Sequence, residues 1–330
     1  MWHRIARVLP LTCIAYVAAC DGSSPSAESP AVQQRDTVTL MTYNIFHDGM
    51  AESQGILSWP ERRDAVVGTL LSRAPDVLGV QEAEVWQVEW LLAQLPEYAA
   101  VARGPFVSPD VDDAETVAIL YRKDRFQLQE SGHFWYSDSP NSPGSEGGDA
   151  FGGMDRPRMA TWVRLRRTGV PTAKGFYVFN THFAANSAAT DGGLARFRSA
   201  ELLATRVAAR SYADEYFFLI GDLNSRADEW PVRYLLGSRC ESSATCSEPA
   251  PPAFRAIDAW ASRHPGETTG TRCNASTGGD GERVDHVLVW SPPTGDSPEV
   301  TASDIVQWGP GCPSDHRPVA ATVVLPADPA

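Results

Sequence analysis

The chain has 330 residues, 28 basic and 41 acidic side chains and a formal charge of −13, with 43% hydrophobic and 21% charged residues. That length and balance suit a globular protein with one large core or two small ones. The acidic excess argues against a protein that tracks a long nucleic-acid backbone, which needs basic surface, and leaves room for a local basic cleft.

The first residues read as an export signal. His3, Arg4 and Arg7 precede an apolar run from Leu9 to Ala19. That run is shorter than the roughly 20 residues a membrane-spanning helix needs. Val17-Ala18-Ala19-Cys20 resembles the lipobox of bacterial lipoproteins, which implies a lipid on Cys20 and a mature chain beginning there. An ordinary cleavage site after a small residue is the alternative. Asp21 resembles an inner-membrane retention signal of some bacteria. Loss of residues 1–19 removes Arg4 and Arg7, so −13 becomes −15. Residues 20–36, rich in Ser, Ala, Pro and Gln, read as a flexible tether, and 326–330 as a tail.

Strand and helix signals then alternate over 37–325. Thr37–Asn44 is expected as a strand, Trp59–Ser72 as a helix with Ala65, Val66, Leu70 and Leu71 on its apolar face, and Val77–Glu82 as a second strand. Val85–Leu95 follows as a helix, with strands expected at Thr116–Tyr121 and Gln127–Glu130 and a long loop over 137–153. Met159–Leu165, Gly175–Asn180, Tyr216–Ile220, Val284–Trp290 and Val319–Leu325 are further strands, and Arg196–Arg210 is an amphipathic helix. Roughly ten strands exceed a simple doubly wound sheet. The expected fold is therefore a single α/β domain of two packed sheets flanked by helices.

Several expected strands end in polar residues that a buried strand does not need. Tyr43-Asn44 ends the first. Gln81-Glu82 sets a carboxylate directly after the second, and Asn180-Thr181-His182 sets a histidine at another. Asp222 and Asn224, two apart, leave the same face of an extended segment. Asp285 lies within a strand and needs a partner, while the neighbouring His286 is expected to point the other way. Ser314-Asp315-His316 forms a turn before the last strand. Any one of these suits a cap or an Asx turn; together, in this order, they point to one polar centre.

With these motifs, the chain resembles the endonuclease/exonuclease/phosphatase superfamily, the fold of pancreatic deoxyribonuclease. The resemblance rests on Thr42-Tyr43-Asn44, Pro75 to Glu82, Asn180 to Phe183, Gly221 to Asn224, Val284 to Val287 and Ser314 to Pro318. It implies a four-layered α-β-β-α sandwich, a divalent cation (Mg²⁺, with Mn²⁺ or Ca²⁺ as alternatives) and in-line attack of water on a phosphoester. It implies Glu82, Asn44 and Asp315 at the metal, with Asn44 also near the phosphate. It gives Asp222 the attacking water, and Asn224 a phosphate oxygen or a second metal position. It sets His316 on the scissile phosphate, with the base as its rival role and Asp285 behind it. His182 resembles that of the two-histidine branch, acting on the leaving group or the phosphate. Glu115 resembles the acid that pairs with that histidine, and Arg158, with Arg156 as alternative, a phosphate contact. Trp59, Arg62 and Arg63 read as packing and solvated helix face. His47 and Asp48 are possible cleft residues.

Four cysteines outside the signal, Cys240, Cys246, Cys273 and Cys312, suggest disulfides in an exported chain, with three pairings open. Cys240–Cys246 would close a small loop, and Cys273–Cys312 would tie two segments leading into site motifs. No paired CxxC or HxxxH spacing supports zinc. The functional expectation is an exported, lipid-anchored, monomeric phosphodiesterase or nuclease. Its alternatives are a phosphomonoesterase, a sphingomyelinase-like hydrolase and a binding module that lost catalysis.

Overall fold

Alternation along the strands decides how the layers stack. On β1 (Asp36–Asn44), Val38 and Leu40 enter one apolar cluster while Met41 and Tyr43 enter another on the opposite face. A strand buried on both faces must lie in a middle layer. The computed structural model describes residues 36–51, 53, 55–104, 115–148, 151, 154, 156–185, 192–238, 254–274, 276–279, 281–290 and 296–326. The signal segment, Cys20, nearly all of the tether, Cys240 and Cys246 lie outside the described residues.

The first sheet contains β1, β2 (Val77–Glu84), β3 (Tyr98–Val101), β4 (Glu115–Arg122), β11 (Glu299–Ile305) and β12 (Val319–Leu325), in the order β11-β12-β1-β2-β4-β3. The second contains β5 (Phe126–Trp135), β6 (Met159–Arg167), β7 (Phe176–His182), β8 (Tyr216–Asp222), β9 (Ala256–Asp258) and β10 (Asp285–Trp290), in the order β5-β6-β7-β8-β10-β9. The β1–β2 and β7–β8 pairs are parallel. Helices α1 (Trp59–Arg73) and α2 (Val85–Gln94) pack on the outer face of the first sheet through Val66, Leu70 and Leu91. Helices α3 (Gly192–Ala208) and α4 (Trp230–Leu235) cover the second through Phe197, Leu203 and Leu235. The short α5 (Ala259–Arg263) adds Trp260 to the cluster between the sheets. This is the expected four-layered sandwich.

The differences have local causes. Twelve strands are present among the described residues, against roughly ten expected. β3 and β9 have four and three residues, too few to show a period. β11 and β5 are edge strands, where polar residues are tolerated. β5 therefore continues through Glu130-Ser131-Gly132-His133 to Trp135, where a strand ending at Glu130 was expected. On α1 the buried stripe is Trp59, Arg62, Val66, Thr69 and Leu70, whereas Leu71 is 56% exposed. Arg62 is thus no solvated face residue. Its guanidinium is fully buried and donates to the carbonyls of Ile45, of Phe46 at 2.5 Å and of Pro313 at 3.1 Å. It joins the loop after β1 to the turn before β12.

Candidate active site

The rows that fill the space between the sheets change character toward one edge. Phe176 and Val178 on β7 are followed in the same row by Asn180 and His182. Phe218 and Ile220 on β8 lead to Asp222, Val38 and Leu40 on β1 lead to Thr42 and Asn44, and Val289 and Val287 on β10 lead back to Asp285. Burial and the pleat thus carry polar side chains from both sheets to one place.

Glu82 arrives there by a different device. The β2–β4 register shifts between Gln81 and Ala83, and Glu82 sits at φ +60. A bulge re-aims a side chain, and a left-handed non-glycine backbone costs on the order of 1–3 kcal/mol, which surrounding structure must over-determine. The Asn44 amide donates to Glu82 Oε1 at 2.8 Å and to Asp222 Oδ2 at 3.2 Å, bridging the sheets. Its Oδ1 accepts the Phe46 N–H at 3.1 Å. Asn44 therefore enters this centre as a donor to both carboxylates.

The turn before β12 closes the centre. Ser314 Oγ donates to the Asn44 carbonyl at 2.6 Å and accepts the His316 N–H at 3.2 Å. The Cys273–Cys312 disulfide spans 39 residues with its Cα atoms 6.4 Å apart, and the Cys273 N–H donates to the Asp315 carbonyl at 2.6 Å. His316 Nδ1 then lies 2.7 Å from Asp285 Oδ2, and its Nε2 lies 3.6 Å from Asp222 Oδ2. His182 Nε2 is 3.5 Å from Asp222 Oδ2 and 3.9 Å from Glu82 Oε1. His286 points away from this centre to Ser225 and Asp258, as expected.

Burial alone would push the His316 imidazole down. The carboxylates of Asp285, Asp222 and Asp315 outweigh it and hold the ring up at about 10. Burial would raise Asp222, but His316, His182 and Arg272 hold it at about 2. His316 is therefore a cation pinned between carboxylates. His182 goes the other way, lowered by burial and by Arg158. Burial, then Asp315 and Glu115, push Glu82 up to about 8.

The donor set is the test of metal fit. Glu82 shares its surroundings with Asp315 and Glu115, so carboxylates gather on its side of the centre. Carboxylate oxygens are the donors a hard divalent cation takes. Glu82, His182 and Asp222 each offer a ligand atom, mutually within 4.8 Å, whereas His316, as a cation, offers none. The residues present fit such a cation.

One expected partnership differs. Glu115 pairs with Arg156, with His47 Nε2 at 3.7 Å, instead of with His182. The cause is position: Arg156 and Arg158 line one small recess with Glu115 and His182, and the guanidinium takes the acid. Asn224, at φ +46, gives its amide hydrogens to His182 Nε2 at 3.1 Å and to the Phe183 carbonyl at 3.0 Å. Its Oδ1 accepts Arg272 Nη2 at 2.9 Å, so Asn224 orients His182 and Arg272. Asp48 accepts the Trp59 N–H at 2.6 Å and serves the start of α1, while His47 bridges Glu115 and Glu84.

Arg272 was not anticipated. It is half-buried, forms an isolated bridge with His316 and lies beside Asp222. The one available signal was its place next to Cys273. Thr271, whose Oγ1 accepts the Val284 and Asp285 N–H groups at 3.0 and 3.2 Å, was also missed.

A family model described as Endonuclease/Exonuclease/phosphatase family matches residues 41–316. A protein of Acanthamoeba polyphaga mimivirus is 22% identical over 191 residues, 56% of this chain and 66% of that one, so the match spans slightly under two-thirds of that relative. An endonuclease/exonuclease/phosphatase family protein of Bacteroides thetaiotaomicron has 23% identity and a TM-score of 0.68 over 89% of this chain and 99% of that one. The mannosyl-6-phosphatase of the same organism has 23% identity and a TM-score of 0.67 over 87% and 100%. The human Nocturnin catalytic domain with bound sulfate has 16% identity and a TM-score of 0.64 over 88% and 98%. By its family match and by its two-sheet architecture, this chain belongs to the endonuclease/exonuclease/phosphatase family.

Proposed function

We propose that the chain is a divalent-cation-dependent phosphoesterase of the two-histidine branch that hydrolyses a phosphodiester by in-line attack of water. The observation that carries this reading is the convergence of Glu82, His182, Asp222, Asp285 and His316, from both sheets and the last turn, on one buried centre. Glu82, with Asp315 nearby, would hold the cation, Mg²⁺ by its donor set. Bound there, the cation would supply Lewis-acid charge stabilisation to a phosphoryl oxygen. Asp222, ionised and fixed by the Asn224 N–H at 2.8 Å, accepts a hydrogen bond from the attacking water and orients it. His316, kept protonated between Asp285 and Asp222, stabilises charge on the phosphoryl oxygens. This favours the electrostatic role for His316 over that of base. His182, Arg158 and Arg272 line the remaining wall, where a guanidinium suits a phosphate.

A phosphomonoester is the second reading. The similarity to the Bacteroides mannosyl-6-phosphatase favours it. Rates with bis-p-nitrophenyl phosphate and p-nitrophenyl phosphate, in Mg²⁺ and then in chelator, separate the two. Diester hydrolysis that stops with chelator supports the first reading, and monoester preference supports the second. Loss of neither activity in chelator removes the cation. No hydrolysis across plasmid DNA, RNA, sphingomyelin and sugar phosphates as well leaves a binding module.

Export with a lipid on Cys20 completes the proposal, resting on Val17 to Cys20. Mass spectrometry of the mature N-terminus tests it: a diacylglyceryl Cys20 supports it, and an unmodified mature N-terminus removes it.

A further inference from the structure

Between the apolar layer and the site lies a buried polar link that the proposed chemistry does not use. Asn180 is fully buried on β7, two residues before His182. Its amide leaves its own sheet and donates to the carbonyls of Val80 at 3.0 Å and Ala118 at 2.7 Å, on β2 and β4 of the other. Its Oδ1 accepts Gln81 Nε2 at 2.6 Å, and the same nitrogen lies 3.0 Å from Thr42 Oγ1 on β1. Gln81 is the residue before Glu82, at the bulge. Gly79 makes the crossing possible, because a Cβ there would stand 2.7 Å from the Asn180 side chain.

We infer that Asn180 is a positioning residue for the cation end of the site. A buried amide that satisfies carbonyls on the opposite sheet fixes spacing and register where apolar packing, being non-directional, does not. Its link to Gln81 holds the bulge whose next residue is Glu82. Its place on β7 ties that bulge to His182, two residues on. The distance across the centre, with His182 Nε2 3.9 Å from Glu82 Oε1, follows from this link. The inference rests on the cation reading given above for Glu82.

The test is calorimetric titration of Mn²⁺ into the mature chain, paired with thermal unfolding. Asn180→Ser keeps a polar group but cannot span to both carbonyls. It is expected to lower Tm and to weaken Mn²⁺ binding about tenfold, the scale seen when an outer partner of a metal ligand is lost. Gly79→Ala added to Asn180→Ser refills the hollow once the Ile220 Cδ1, also 2.7 Å from such a Cβ, turns aside into the space Asn180 leaves. It is expected to restore Tm in part while Mn²⁺ affinity stays weak. A merely structural role would move both together. Should Asn180→Ser not fold, Gln81→Met, of similar size but unable to donate, is expected to show the same tenfold loss. Wild-type Mn²⁺ affinity in the folded variant, affinity that recovers with Tm in the double variant, or a wild-type chain that binds no Mn²⁺ would each overturn the assignment. A wild-type chain that hydrolyses no phosphoester yet binds Mn²⁺ in an Asn180-dependent way removes the proposed activity and leaves this role standing.

Discussion

The two ends of the layer between the sheets use the same rows for opposite purposes. At one end Val38, Leu40, Phe176, Phe218 and Val289 meet by non-directional burial. At the other, the continuations of those rows are Asn44, His182, Asp222 and Asp285, held by directed hydrogen bonds. The contrast shows how a family of catalysts can be built on an ordinary sandwich. One end supplies cohesion, and the other spends part of it on buried charge.

Substitutions at the two ends should therefore fail differently. His316→Ala removes the cation between Asp285 and Asp222 and is expected to lower turnover by about 10²–10⁴-fold with the fold retained, read by steady-state kinetics and circular dichroism. Leu40→Ala, at the apolar end, is expected to cost about 2–5 kcal/mol in denaturant unfolding while kcat of the folded fraction stays near wild type. Equal damage to kcat and stability from both would erase the contrast.

Much of this contrast was legible in the sequence. Apolar strands ending in Asn44, His182 and Asp222 gave both the layers and the polar edge, because period two and burial are local properties. Partnerships across the layer were less legible. Arg62 reads as a surface helix residue until its spacing from Trp59 and Val66 is noted, which sets it on the buried stripe. Glu115 meeting Arg156 instead of His182 depends on a recess formed by β4, β7 and the segment before β6. Arg272 lies in an irregular segment tied by Cys273–Cys312, where no period exists to reveal which way a side chain points. The bulge at Glu82 is a register event, set by β4 as much as by β2.

Smaller effects sharpen the comparison. Arg272→Met leaves Asn224 Oδ1 without that donor and is expected to slow turnover on the order of tenfold with little change in Tm. Outside both ends, Asp258 accepts Arg283 Nη1 at 2.9 Å and the Ala261 N–H at 3.1 Å, with His286 Nδ1 at 3.4 Å. Burial alone would raise this carboxyl, but His286 and Arg283 hold it well below its ordinary value. A depressed carboxyl contributes stability above its unfolded value of about 4, and that contribution is lost as the pH falls toward its folded value. Asp258→Asn is expected to lower Tm at pH 7, and its deficit against wild type should shrink below pH 4. A deficit independent of pH would assign Asp258 a packing role only.

The central claim is that Glu82 on one sheet and His316 in the last turn serve a single catalytic centre. The most direct measurement is a double-mutant cycle, Glu82→Gln and His316→Ala, on Mg²⁺-dependent hydrolysis of bis-p-nitrophenyl phosphate. Groups that act as a unit give strongly non-additive losses, so the double variant is expected to be little slower than the worse single one. Losses that multiply in full would mean that the two residues act independently, and would contradict the account.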